Sequence, residues 1–261
     1  MSAALSLEGV SKSYGAVKAL HEVSIAVDAG EFVALLGPSG SGKSTVFRCL
    51  TALTRPDAGA AYVLGQRMTE LKGRALGRAR RGIGLIFQQH NLIGRLSVID
   101  NVLAGRLDVT PTWRVMTRQF RQEDRQLALA SLDRVGLLDK AYQRADTLSG
   151  GQQQRVAIAR ALTQEGSVIL ADEPIASLDT VSAEHVLASL RTIAHESGVG
   201  VLCSLHQVDL ARKYADRLIG LRNGRVVFSC SAHQFDHAAR EKLYVGTDAV
   251  LVVQALPPTK I

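Results

Sequence analysis

The sequence predicts an α/β fold, with parallel strands and helices forming a core, an antiparallel β subdomain near its start and a helical subdomain inserted in its middle. Three observations predict it. Short apolar runs recur at Phe32 to Leu36, Ile83 to Phe87, Val168 to Ala171, Val199 to Cys203 and Leu218 to Leu221, with helical spacing between several of them. A glycine-rich loop follows the first run and opens a helical segment. Strand signals then vanish between Gln89 and about Arg160, where helical spacing takes over.

Taken in order, Val23, Ile25 and Val27 alternate with smaller or polar residues, as in a half-buried antiparallel strand. Phe32 to Leu36 is a continuous apolar run, which suits a strand covered on both faces. Ala128, Leu132 and Val135 recur at helical steps, and Gly136 can end that helix. The helix from about Ser182 carries Val186, Leu190 and Ile193 on one face, with Gly198 as its stop. After Phe228 the pattern weakens, and the tail with Pro257 and Pro258 reads as a loosely held terminus. The expected divisions are 1–88 for the first part of the core with its β subdomain, 89–160 for the helical insertion, 161–235 for the second part of the core and 236–261 for the tail.

Two basic clusters stand out. Arg114, Arg118, Arg121 and Arg125 would share one face if their segment is a single helix, with Trp113, Met116 and Phe120 on another. That expectation favours a solvated charged face over a packed apolar one, the alternative being contact with a membrane partner or an anionic lipid surface. Arg74, Arg78, Arg80 and Arg81 are expected to be solvated.

Composition narrows the class. With 46% hydrophobic and 21% charged residues over 261 positions, the chain is an ordinary globular protein. The formal charge of +7 suits a nucleic acid, an anionic membrane face or a phosphate-bearing ligand, and does not choose among them. Cys49, Cys203 and Cys230 are odd in number and widely spaced, against a disulfide framework or a zinc site, and a reducing cytosol fits. Cys49 and Cys203 are expected in the core. No apolar stretch reaches the roughly 18 residues that span a bilayer, and the start lacks the pattern of a signal peptide, so a soluble chain is expected.

Gly37, Pro38, Ser39, Gly40, Ser41, Gly42, Lys43, Ser44 and Thr45 satisfy the pattern G-x-x-x-x-G-K-[ST] between a strand and a helix. Glycines let successive N–H groups turn toward phosphates, and the helix start adds a favourable dipole. Lys43 is expected on the β- and γ-phosphates of ATP and Ser44 on Mg²⁺. A second apolar run ends in Asp172 and Glu173, suited to hold Mg²⁺ through water and to act as general base on the attacking water.

A further phosphate-binding arrangement begins with Ser149, Gly150, Gly151 and Gln152, just before a helical run. One nucleotide does not need two such cradles. Here the chain resembles the ATP-binding-cassette family, whose LSGGQ signature Leu148 to Gln152 reproduces, and which implies a P-loop NTPase core. The resemblance implies that two copies pair head to tail, so that Ser149, Gly150 and Gly151 of one cap the γ-phosphate held by the other. It further implies Tyr14 stacking on adenine, Gln88 linking Mg²⁺ and the attacking water to the helical subdomain, Ser177-Leu178-Asp179 crossing the dimer interface and His206 contacting the γ-phosphate.

Asn91 to Val98, Asn101 to Leu107, Ile175 to Asp179 and Ser204 to Ala211 look like the phosphonate-importer branch of that family. Thr180 departs from the proline usual there, and the segment after about Gly246 looks unlike it. The implied complex is a homodimer under transmembrane permease subunits, served indirectly by a solute-binding protein, at the cytoplasmic face of the cell membrane. An importer of phosphate or polar amino acids is the alternative. A small-molecule kinase would share the phosphate loop but has no use for the signature. Cassettes acting on nucleic acid usually carry coiled coils or two cassettes, so no nucleic acid is expected.

Overall fold

A computed structural model describes residues 3–89 and 91–244. The strands are β1 (Leu5–Tyr14), β2 (Val17–Val27), β3 (Phe32–Leu36), β4 (Ala58–Val63), β5 (Gln66–Arg67), β6 (Ile83–Phe87), β7 (Val168–Asp172), β8 (Gly200–Leu205), β9 (Arg217–Arg222) and β10 (Arg225–Ser231). The helices are α1 (Lys43–Leu50), α2 (Gly73–Arg81), α3 (Val98–Leu103), α4 (Thr112–Met116), α5 (Gln122–Arg134), α6 (Gly150–Thr163), α7 (Thr180–Ser197), α8 (Val208–Tyr214) and α9 (His237–Tyr244). Two sheets result. One has the order β2-β1-β4-β5 and is antiparallel; the other has the order β10-β9-β3-β8-β7-β6 and is parallel apart from its β10 edge.

The apolar run of β3 is the reason the layers stack. Phe32, Ala34 and Leu36 enter one core, shared with α3, α5, α6, α7 and α8; Val33 and Leu35 enter the other, shared with α1 and the antiparallel sheet. β7 divides in the same way, Ile169 and Ala171 against Val168 and Leu170. A strand covered on both faces has no polar side to show, so the run is unbroken. Burial raises the Cys49 thiol to about 11 and Cys203 well above its ordinary range, leaving both as packing groups.

Between Val98 and Thr163 the described elements are helical. Helix α5 ends where its sequence says it should: the Leu137 N–H donates to Leu132 O and the Gly136 N–H to Asp133 O, with Gly136 at φ +66°. α7 likewise ends at Gly198, φ +65°. The arginine stripe, by contrast, does not lie on one helix. α4 stops at Met116; Gln119 N–H donates to Arg114 O and Arg118 N–H to Val115 O, with Arg118 at φ +55°. This is the same paired closure, built on an arginine in the position glycine usually takes. Arg121 then lies outside α5 as its N-cap. Nor is the apolar side of that segment packed, since Trp113 and Met116 are 57% and 81% exposed while Phe120 leans on the core.

The second basic cluster also differs from its expected solvation. Arg80 turns inward, Nε donating to Thr51 O at 2.9 Å and Nη2 to Ala52 O at 3.2 Å, which satisfies carbonyls where α1 ends. Arg81 pairs with Asp108 at 2.9 Å, and Arg74 and Arg78 are exposed. Past Phe228 the chain keeps more order than its pattern announces, completing β10 and forming α9, whose Leu243 is buried. The terminal residues with Pro257 and Pro258 lie outside the described residues. Among the described residues, no helix is long and apolar enough to cross a membrane.

Candidate active site

The loop from Gly37 to Gly42 leaves the end of β3 and delivers the chain into α1. Its glycines are used in two different ways. Gly37 has no room for a side chain: a Cβ there would lie 2.3 Å from Leu221 O. Gly42 has φ +108°, a region that L side chains rarely adopt, and a Cβ would come within 2.6 Å of Ala19 O. Ser39 to Thr45 line an open cleft of about 460 Å³ together with Val17, Lys18, His21, Glu173 and Asn223. The first N–H groups of α1 have no partner within the helix and are available there. The Ser41 hydroxyl is buried without a hydrogen bond.

Lys43 is 5% exposed, and its ammonium donates to Gly37 O at 2.8 Å and Pro38 O at 3.1 Å. Burial lowers its pKa; the nearby Glu173 and Asp172 carboxylates oppose that shift. Glu173 Oε1 lies 3.9 Å from Lys43 Nζ and 2.6 Å from His206 Nε2. Its backbone is at φ +51°, in the left-handed region, as the chain turns sharply out of β7. Asp172, the last residue of β7, is the register partner of Ser204 in β8. Ser44, Gln88, Asp172 and Glu173 line one continuous recess, with Gln88 just past the end of β6. The parallel sheet therefore brings Lys43, Ser44, Gln88, Asp172, Glu173 and His206 to the ends of four neighbouring strands, where ligands bind in such sheets.

Ser149, Gly150, Gly151 and Gln152 are elsewhere. They start α6, where the Ser149 Oγ accepts from the Gln152 N–H and the Gln152 Oε1 accepts from the Ser149 N–H, a reciprocal capping box. None of them lines the Lys43 cleft. Their glycines are close to the start of the following helix: a Cβ at Gly151 would meet Ser182 Oγ at 2.5 Å, and one at Gly150 would meet Leu178 Cδ2 at 3.7 Å. Asp179 caps α7, accepting from the Ser182 N–H at 3.0 Å.

Comparison with known proteins decides what this arrangement belongs to. The chain matches the family described as ABC transporter over residues 20–176. It is similar to the hypophosphite import ATP-binding protein HtxD of Stutzerimonas stutzeri, 49% identical over 92% of this chain and 71% of that protein. It is equally similar to the phosphonates import ATP-binding protein PhnC of Escherichia coli O157:H7, 49% identical over 96% of this chain and 97% of that one. The chain belongs to the ABC transporter family.

Solved ABC cassettes share the fold of this ABC ATPase. The dimeric post-hydrolysis structure of the cassette MJ0796 bound to ADP and Pi has a TM-score of 0.74 at 35% identity, covering 88% of this chain and all of that one. The ADP conformation of MJ1267 has a TM-score of 0.81 at 27% identity, covering 95% of this chain and all of that one. In the present ABC ATPase, Tyr14 is 44% exposed at the end of β1, its hydroxyl 3.4 Å from Thr54 Oγ1. Tyr14 does not line the cleft, which begins at Val17, and the Lys12 ammonium lies over its ring, 5.6 Å from the centroid. One residue at the centre carries no motif of its own. Ser204, fully buried, donates to Asp172 Oδ1 at 2.7 Å and accepts the Glu173 N–H at 2.8 Å. The resemblance over Ser204 to Ala211 gave it no role; its place beside Asp172 in the sheet does.

Proposed function

We propose that the chain is the ATP-hydrolysing subunit of an importer of phosphonates, working as a homodimer at the cytoplasmic face of the cell membrane beneath transmembrane permease subunits, with a solute-binding protein as the indirect partner. One observation carries the reaction: the Glu173 carboxylate stands 2.6 Å from His206 and 3.9 Å from Lys43, beside a loop whose Gly37 and Gly42 leave no room for a side chain. The cargo is supported by the likeness to a phosphonate and a hypophosphite import protein.

The residues suit ATP with magnesium. The buried, unpaired Ser41 hydroxyl and the free N–H groups of the loop and helix start match an anion of several oxygens. Ser44, Asp172 and Gln88 offer the hydroxyl, carboxylate and amide oxygens that a hard divalent ion prefers. Magnesium held there would supply the positive charge that offsets the phosphate oxygens. Lys43 exchanges its two loop carbonyls for the β- and γ-phosphates, and Tyr14 offers its ring to the adenine. Glu173 takes a proton from the attacking water, and His206, on the same carboxylate, orients it toward the γ-phosphorus. Gln88 reports the γ-phosphate to the helical insertion that it adjoins. Ser149, Gly150, Gly151 and Gln152 serve the partner copy's nucleotide, since their own chain's cleft lies elsewhere.

Replacing Glu173 tests this reading. Glu173→Gln should bind ATP with an affinity near wild type, lose turnover by a factor of about 10³, and accumulate as a dimer with ATP and Mg²⁺ in size-exclusion chromatography with light scattering. An active, monomeric variant would refute it. For the cargo, the permease and solute-binding protein that co-purify with the chain should be reconstituted, and stimulation of the ATPase compared for phosphonates, hypophosphite, phosphate and polar amino acids.

A further inference from the structure

We infer that Ser204 is a positioning residue for ATP hydrolysis, holding the Asp172 carboxylate and the Glu173 main chain in one fixed relation through its single hydroxyl. The inference deepens the ATPase reading above and rests on it. Asp172 and Ser204 are register partners on adjacent parallel strands, so their side chains leave the sheet on the same face. The hydroxyl uses its one proton on Asp172 Oδ1 at 2.7 Å and a lone pair on the Glu173 N–H at 2.8 Å. Ser204 is fully buried, so no water stands ready to replace it. Glu173 is at φ +51°, outside the strand ladder, and its N–H needs an acceptor that β8 would not otherwise supply. With Oδ1 accepting from Ser204, Asp172 Oδ2 is the oxygen that would remain to help hold the metal ion.

Groups that orient a metal-holding carboxylate commonly contribute 10- to 100-fold to metal affinity or activity. Ser204→Ala leaves Asp172 Oδ1 and the Glu173 N–H unpaired together. The carboxylate can then rotate, and the turn that carries the base loses its tether. Nucleotide binding without metal draws on the loop and α1, where neither of the Ser204 side-chain hydrogen bonds ends, and should survive.

The test uses the purified full-length chain, with Ser204→Ala, the near-isosteric Ser204→Cys and the hydroxyl-keeping Ser204→Thr, each checked for folding by circular dichroism and thermal unfolding. A fluorescent ATP analogue is titrated in EDTA and again across a Mg²⁺ series, and turnover is measured separately. For Ser204→Ala and Ser204→Cys, affinity in EDTA should stay within about twofold of wild type. The Mg²⁺ needed for half-maximal tightening should rise about tenfold, and kcat should fall about 10- to 100-fold with KM little changed. Ser204→Thr should recover most of both. If Ser204→Ala or Ser204→Cys folds and keeps both the wild-type Mg²⁺ requirement and kcat, the inference is overturned. It is equally overturned if binding in EDTA weakens as much as binding in Mg²⁺, because the residue then only shapes the fold. Failure of Ser204→Ala alone to fold leaves Ser204→Cys to decide. Wild type and Glu173→Gln, run alongside, separate the outcomes: a wild type without ATP turnover means that the ATPase reading itself has failed, normal turnover by Glu173→Gln means only that its role as base has failed, and in either case a changed Mg²⁺ requirement in the Ser204 variants still stands on its own.

Discussion

Arg106 ties the helical insertion to the parallel core, and removing its charge has a cost that the geometry allows to be worked out. Its Nε donates to Asp124 Oδ1 at 2.8 Å, and Nη1 reaches Glu165 Oε2 at 2.6 Å and Thr163 O at 3.4 Å. Asp124, on α5, is 7% exposed, and this is its side chain's hydrogen bond. Glu165, just past α6, has a side chain 59% exposed, so that arm contributes under about 1 kcal/mol. Arg106→Met therefore costs mainly through Asp124, left as a buried carboxylate without a counter-charge. Breaking a buried pair from one side costs about 3–5 kcal/mol, and the lower end applies here because the Arg106 side chain is itself 17% exposed and water can follow it in. At about 2–4 °C per kcal/mol for a chain of this size, the unfolding midpoint should drop by about 6–12 °C in scanning calorimetry. Replacing both partners, Arg106→Met with Asp124→Leu, should recover most of that loss, because no charge is then stranded. A shift under about 2 °C for the single variant, or a double variant no better than the single, would refute the reasoning.

Other expectations concern the cleft. His206→Ala removes the group 2.6 Å from the base and should lower kcat about 10²- to 10³-fold while ATP affinity measured by calorimetry stays within threefold or so. Gly37→Ala places a methyl 2.3 Å from Leu221 O, which must shift the loop, and should lower kcat/KM for ATP by about 10², with the fold retained by circular dichroism. Lys43 carries a pH signature. Its folded pKa is lowered by burial, so below its ordinary 10.5 there is a window in which the unfolded chain holds a proton that the folded chain has released. Stability from this residue must therefore rise with pH through that window. The wild-type advantage over Lys43→Met in urea unfolding should grow as pH approaches 10.5, and ATP binding should be absent in the variant at every pH.

Which features could be read from the sequence follows from where the physics is local. Gly136 and Arg118 make the point together. Both sit at positive φ and both close a helix by the same two hydrogen bonds. Gly136 announces its stop because glycine alone adopts that conformation freely; Arg118 does not, so an unbroken arginine stripe was expected where the chain in fact turns. The buried runs of β3 and β7 were legible because burial on both faces leaves a continuous apolar string. Motifs pointed to Lys43, Ser44, Asp172 and Glu173 because each pattern is local in the chain, and the family resemblance added His206; the sheet then brings all five to neighbouring strand ends. Ser204 and Arg80 were not legible in that way. Their partners are 32 and 29 residues distant, at Asp172 and Thr51, and only the sheet register and the reach of the Arg80 side chain from α2 to the end of α1 bring them together.

The closeness of Gly150 and Gly151 to Leu178 and Ser182 has a consequence for timing. Gly151 leaves no room for a side chain between the start of α6 and Ser182 at the start of α7, so a push on one is passed to the other with little slack. The stretch from Glu173 to Asp179 is short and leads straight from the base of one cleft into that junction. In the proposed pair, a nucleotide seated against one copy's Ser149 would thus be felt at that same copy's own Glu173. The two sites would keep step as coupled oscillators do, and the measurable trace is a Hill coefficient above one for ATP that falls toward one when Gly151→Ala wedges the joint open.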